Sequence, residues 1–209
     1  MDMTSARRPI RSRSNRVVRG IASWISGTPV TPNQISCASV VFAGAAGWAL
    51  YGAPGWAGCL AAAVLIQLRL LCNVLDGLVA VEGGKRSPTG ALYNEFPDRV
   101  ADSLIIVGAG YGAGLPEIGW LAALLAVTTA YVRVFGGALG FEQEFPGPMA
   151  KQHRMAVLST GCLAGAVESL LTATQYSLKA ATAVVAVGSA VTCWTRSRAI
   201  ARRLRAADV

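Results

Sequence analysis

The chain has 209 residues, of which 53% are hydrophobic and only 14% charged, with a mean hydropathy of +0.46. Soluble domains carry about a quarter charged residues, so this composition excludes an ordinary water-soluble enzyme, a disordered chain and a disulfide scaffold, and points to a polytopic membrane protein. The net charge of +8 is concentrated at the two ends, and no aromatic-plus-basic reader motif accompanies it, so nucleic acid is not an expected partner. The five cysteines (Cys37, Cys59, Cys72, Cys162 and Cys193) are scattered through apolar stretches without a C-x-x-C pair and read as core residues. No cleavable signal peptide is expected.

In chain order, residues 1–12 read as a basic tail. Residues 7–26 alternate Arg with Val, Ile and Trp24, which predicts an amphipathic helix lying on the membrane surface. Thr31 is placed as an N-cap with Pro32 at the first helical position. Six apolar segments follow, at 34–51, 56–76, 98–115, 118–139, 155–173 and 177–195, each near the length that crosses a bilayer. The expected fold is therefore all-α, with six transmembrane helices after an N-terminal amphipathic interfacial helix. Its organisation is a basic tail and juxtamembrane helix over 1–30, a six-helix catalytic domain over 31–195, and a basic cytoplasmic tail over 196–209.

Lys and Arg fall at the N-terminus, in the second loop (Lys85, Arg86), in the fourth (Lys151, Arg154) and at the C-terminus. The positive-inside rule places both termini in the cytoplasm. Trp48, Tyr51, Trp56, Tyr111, Trp120 and Tyr176 then mark the outer boundary.

Ionisable groups at membrane depth are costly and usually functional. Arg69, Asn73 and Asp76 are spaced by four and three residues at the end of the second segment, on one helical face. Glu95, Asp98 and Asp102 lie at offsets of three and four at the start of the third. Two antiparallel helices bring these acids to one membrane face, near the cytoplasm. Carboxylates so close repel one another, and hard divalent cations relieve the repulsion through oxygen ligands. Solvated boundary charges, or pairing with Arg69 and Arg99, is the competing reading. His153, the only histidine, reads as an exposed loop residue, and Glu168 has no assigned role beyond pairing with Lys179.

Here the chain resembles the CDP-alcohol phosphotransferase family, whose signature is D-x-x-D-G-x-x-A-R, a gap, then G-x-x-x-D-x-x-x-D. The first half reads Asn73-Val-Leu-Asp76-Gly77-Leu-Val-Ala80-Val81, and the second ends Asp98-Arg-Val-Ala-Asp102. Thr31-Pro32-Asn33, Tyr131-Val-Arg133 and Lys151-Gln-His-Arg154 extend the resemblance over most of the chain. Asn73 stands where the signature has its first acid, and Val81 where it has Arg. With the gap length kept, Gly90 takes the glycine, Asn94 the third acid and Asp98 the fourth. With a loop four residues longer, Asp98 and Asp102 become the third and fourth acids. The second alignment is preferred because it keeps both carboxylates.

The resemblance implies an enzyme of phospholipid synthesis in the inner cell membrane, with its active site on the cytoplasmic face. It would transfer a phosphatidyl group from a CDP-linked lipid such as CDP-diacylglycerol to the hydroxyl of a small polar alcohol, releasing CMP. It further implies Mg²⁺ or Mn²⁺, as two ions, on Asn73, Asp76, Asp98 and Asp102, with Asp102 also accepting the hydroxyl proton. Thr31, Asn33, Gln34, Gly77 and Ala80 are the implied donor contacts. Arg133, Lys151 and Arg154 form the implied phosphate or acceptor pocket. The bilayer is the remaining partner, and assembly as a homodimer is left open. The alternative readings are a family member whose altered signature has ended catalysis, leaving a nucleotide-lipid binding or scaffold protein, and a small transporter, against which the one-sided placement of the acids counts.

Overall fold

A computed structural model describes residues 15–53, 55–141, 146–172 and 174–207. The described residues form seven helices: α1 (Arg16–Ser26), α2 (Pro32–Gly52), α3 (Trp56–Val81), α4 (Gly90–Gly112), α5 (Pro116–Ala138), α6 (Lys151–Thr172) and α7 (Tyr176–Ala207). The all-α expectation holds, and the tail before residue 15 lies outside the described residues. Five helices (α2, α3, α5, α6 and α7) are long and apolar enough to cross a membrane. The helix α4 has 23 residues and packs against α2 and α5. It falls short on hydropathy because Glu95, Asp98, Arg99 and Asp102 lie within it.

Helix starts follow local chemistry. Thr31 caps α2 in a reciprocal box with Gln34, with Pro32 next in line, as the sequence predicts. Asn15 caps α1 by accepting from the Val17 amide. Along α1, Ala22 packs with Leu75, Leu78 and Val79 of α3, while Val17 and Trp24 are exposed. The helix thus has one face on the bundle and one apolar edge free. Lys85, in the loop after α3, donates to the carbonyls of Thr28 and Val30 and so pins the α1–α2 connection to that loop.

The main core is built largely of alanine, with Ile66, Ile105, Ile106, Met155 and Leu158 filling its centre. Small residues bring the backbones together. A Cβ on Gly108 would stand 2.3 Å from the Gly47 Cα, and one on Gly110 would stand 2.6 Å from the Gly119 Cα. Glycine is therefore required where α4 crosses α2 and α5, and these two crossings clamp α4 in place.

Several helix ends differ from the sequence expectation, and they shift the acids. Helix α3 continues to Val81, five residues past Asp76, and α4 begins at Gly90, eight residues before Asp98. At 1.5 Å per residue, Asp76 and Asp98 sit about 7 Å and 12 Å inside their helix ends. Lys151 and Arg154 belong to the first turn of α6 rather than to a preceding loop. The stretch from Arg196 to Ala207 continues α7, with Arg196 buried and donating to the carbonyls of Thr129 and Pro146.

Candidate active site

The ends of α2, α3, α4 and α6 converge on a buried polar cluster. Asp76, Asp98 and Asp102 are 6%, 8% and 1% exposed, in a protein interior otherwise lined by alanine and leucine. Buried charge on this scale must be hydrogen-bonded and paired, and the partners are specific.

Arg69 is fully buried, and its Nη2 reaches Asp98 Oδ1 at 3.2 Å and Asp102 Oδ1 at 2.7 Å. Arg154 Nη2 holds the other Asp102 oxygen at 2.8 Å, while its Nη1 donates to the Met149 carbonyl at 3.0 Å. Asp102 is thus the centre of an Arg–Asp–Arg triad with each oxygen taken by a different guanidinium. Asp98 accepts from the Asn73 amide nitrogen at 2.8 Å and forms an ion pair with Lys151. Asp76 accepts from the Ser36 hydroxyl at 2.6 Å.

This arrangement revises two expectations for physical reasons. Arg154, expected to face a phosphate, is 1% exposed and committed to Asp102 and Met149. Asp102, expected to accept the hydroxyl proton and to ligate metal, has each of its oxygens bonded to a buried guanidinium. Among the described residues, no three acidic, histidine or cysteine side chains are grouped so as to hold a metal ion. Asp102 is set apart from the other three expected ligands by its two ion pairs. What remains is a smaller oxygen group from Asp76, Asp98, the Asn73 amide and the Ser36 hydroxyl. Two carboxylates with neutral oxygens suit a hard divalent cation, and Asp76, which no ion pair reaches among the described residues, provides the buried charge that such a cation would neutralise.

The other expected residues flank this group. Asn94, the alternative third acid position, is exposed one turn before Asp98 on the same face of α4. Gly77 and Ala80 are half-buried and share the Asn73 face of α3. Val81, in the place of the signature Arg, is exposed at the end of α3. Thr31 and Gln34 satisfy each other in the cap, and Asn33 donates to Thr89 at 3.2 Å, tying the start of α2 to the start of α4. Arg133 donates to Glu95 at 2.7 Å, and Glu95 also pairs with Arg99 at 3.2 Å, so two guanidiniums share one carboxylate one turn before Asp98. His153 is exposed, as expected, but lies in the first turn of α6 rather than in a loop.

Sequence reasoning missed Ser36. Its signal was a hydroxyl in an apolar run one turn after Pro32, at the depth of Asp76 on the neighbouring helix. It also placed Glu168 beside Lys179. The structure instead uses Glu168 to cap α7, accepting from the Tyr176 and Ser177 amides at 2.7 Å each, while Lys179 lies over the Tyr176 ring.

Comparison with known proteins agrees with this architecture. The chain is 32% identical over 182 residues to archaetidylinositol phosphate synthase from Aeropyrum pernix, covering 86% of this chain and 85% of that protein. Its fold matches the crystal structure of Mycobacterium tuberculosis phosphatidylinositol phosphate synthase with CDP-DAG bound, with a TM-score of 0.75 at 20% identity, over 89% of this chain and 94% of that one. The same synthase in complex with manganese and citrate matches with a TM-score of 0.75 at 19% identity, over 88% of each chain. The sequence profile of the CDP-alcohol phosphatidyltransferase family matches residues 29–194, which span every helix from α2 to the middle of α7 and the whole polar cluster. The chain belongs to the CDP-alcohol phosphatidyltransferase family, membrane-spanning transferases of phospholipid biosynthesis.

Proposed function

We propose that this enzyme transfers a phosphatidyl group from CDP-diacylglycerol to the hydroxyl of a phosphorylated polyol, an inositol phosphate, and releases CMP. The observation that carries the reading is the placement of Asp98. It lies at the meeting point of α3, α4 and α6, with Asn73 on one oxygen, Lys151 on the other, and Asp76 on the facing helix. The names of the relatives support the acceptor, since both are inositol phosphate lipid synthases.

In this reaction the acceptor oxygen attacks the phosphorus that bears the lipid, the bond from that phosphorus to the bridging oxygen breaks, and CMP leaves with the electron pair. Asp98 receives the hydroxyl proton on the oxygen that Lys151 covers, because Lys151 retains 25% exposure and can swing aside, whereas both guanidiniums on Asp102 are buried. Asp76 and Asn73 would hold a divalent ion, which would supply charge neutralisation at the pyrophosphate. Gly77 and Ala80 leave room for the nucleotide beside α3, and Thr31, Asn33 and Gln34 stand at the end of α2 as further donor contacts. Arg133 and Arg99 receive the acceptor phosphate, exchanging one contact to Glu95 for it, and Lys151 faces the same mouth. Both termini and this mouth lie on the cytoplasmic side, with α4 as the sixth span and α1 along the surface.

The test is CMP release from CDP-diacylglycerol by the purified protein in detergent with Mn²⁺, offering inositol phosphate, inositol, glycerol phosphate and serine in turn. Turnover selective for inositol phosphate is expected. Turnover only with an unphosphorylated alcohol would overturn the acceptor, and binding of the donor without CMP release from any acceptor would favour a binding protein.

A further inference from the structure

Within the cluster, positive charge is unevenly shared. Arg69, Lys151 and Arg154 all fall on Asp98 and Asp102, while among the described residues no ion pair reaches Asp76, which is 6% exposed. Buried carboxylates are ordinarily paired or coordinate a metal. Ser36 donates a hydrogen bond to Asp76 but brings no charge. Asn73, one turn earlier on the same face, spends its amide nitrogen on Asp98, so its carbonyl oxygen is the atom with lone pairs to offer.

The charges count in the same direction. Asp76, Asp98 and Asp102 balance Arg69, Lys151 and Arg154 before any metal is added. One divalent ion leaves the cluster with two positive charges, which offsets the two negative charges on the pyrophosphate of a CDP-linked lipid. A second ion would double that excess. It would also have to share Asp98 with an ammonium and a guanidinium, groups that donate hydrogen bonds and cannot ligate metal. The amide at Asn73, where the signature has an acid, removes a further charge from any second position.

We infer that this centre takes a single divalent ion, held by Asp76 with Asn73, and that Lys151, seated on Asp98, provides in covalent form the positive charge that a second ion would bring. This departs from the two ions that the sequence suggests, and it rests on the transfer reading above. Lys151 is then a positioning residue: it sets how Asp98 is oriented and how many ions enter.

The experiment counts bound Mn²⁺ by loss of the free-ion paramagnetic resonance signal, using purified, monodisperse protein in detergent. The unsubstituted chain should saturate at one Mn²⁺. Asp76→Asn should raise the half-saturating concentration by at least about tenfold. Asn73→Asp combined with Lys151→Met, which adds a carboxylate and frees Asp98, should bind two. Two ions on the unsubstituted chain, no ion, or one ion indifferent to Asp76→Asn overturns the inference. CMP release measured on the same preparations keeps the two readings apart. Two ions with turnover reject the single-ion centre and leave the transferase. One ion without turnover on any acceptor rejects the transfer reading while the stoichiometry stands.

Discussion

Replacing Asp102 by Asn tests whether this residue stabilises the bundle or performs the chemistry. The side chain is 1% exposed, and each of its oxygens accepts from a separate arginine, at 2.7 Å from Arg69 and 2.8 Å from Arg154. An amide keeps one acceptor oxygen and turns an NH₂ toward the other guanidinium, which has only donors to meet it. The substitution also removes the one negative charge between two buried cations. Removing one partner of a buried ion pair costs about 3–5 kcal/mol, and each kcal/mol shifts the melting temperature by about 2–4 °C in a chain of this size. The product is a fall of about 6–20 °C, measured as thermal unfolding in detergent by intrinsic fluorescence. Asp98→Asn should do the reverse. That carboxylate lies beside the partly open Lys151, so the variant should melt much closer to the parent, and CMP release should fall by about 10²–10⁴-fold. If Asp102→Asn melts within about 2 °C of the parent while CMP release collapses, Asp102 is the reacting carboxylate and the assignment made from these ion pairs is wrong.

Ser36→Ala removes the hydrogen bond to Asp76 and should cost about 0.5–1.5 kcal/mol in stability while leaving the polyol selectivity unchanged; a melt together with the acceptor panel checks both. Gly108→Leu, placed where a Cβ alone would meet the Gly47 Cα at 2.3 Å, should part α4 from α2 and cost at least about 1–3 kcal/mol, read as a lower melting temperature with weakened Mn²⁺ binding. Glu168→Gln weakens the cap on α7 and should lower stability by about 0.5–2 kcal/mol with no change in the half-saturating Mn²⁺ concentration, because α7's start lies at the far end of the bundle from the acids. Arg133→Met frees Glu95 from one of its two partners and should raise KM for a phosphorylated acceptor more than for its unphosphorylated counterpart, measured as CMP release across acceptor concentrations.

Much of this arrangement was legible because membrane helices impose strong sequence constraints. The apolar middles of the helices stand out by length alone, and Thr31-Pro32 announces the start of α2 through its own side-chain chemistry. The acids Asp76, Asp98 and Asp102 were visible because charge inside an apolar run is costly, and the competing reading of pairing with Arg69 also holds for Asp98 and Asp102. The ends were harder. Residues 77–81, 90–97 and 196–207 are helical despite glycine, Pro97 or charge, because neighbouring helices and Arg196's bonds to the Thr129 and Pro146 carbonyls satisfy groups that hydropathy counts as polar. Spacing along one helix shows which residues share a face, and it carries no information on which partner helix supplies the counter-charge. That is why Arg154 looked free for a phosphate and Glu168 looked paired with Lys179.

The same limit explains why a degraded signature is compatible with an assembled site. The signature counts carboxylates, whereas the chemistry depends on the net charge and geometry at the pyrophosphate. Here an amide at position 73 and Val81 in place of an arginine subtract one charge of each sign, so their effects on the local balance oppose each other. Lys151 and Arg69 then lie against Asp98, where, on the single-ion reading, fixed cations would do part of what bound ions do. An Arg–Asp–Arg triad one turn deeper holds α3, α4 and α6 in register, and the glycine crossings at 47/108 and 110/119 hold α4 against α2 and α5. Asp98 is thereby fixed from four neighbouring helices. On the single-ion reading, a site preorganised in this way would need fewer acids than the signature lists, because the bundle would set the position of the group that meets the substrate.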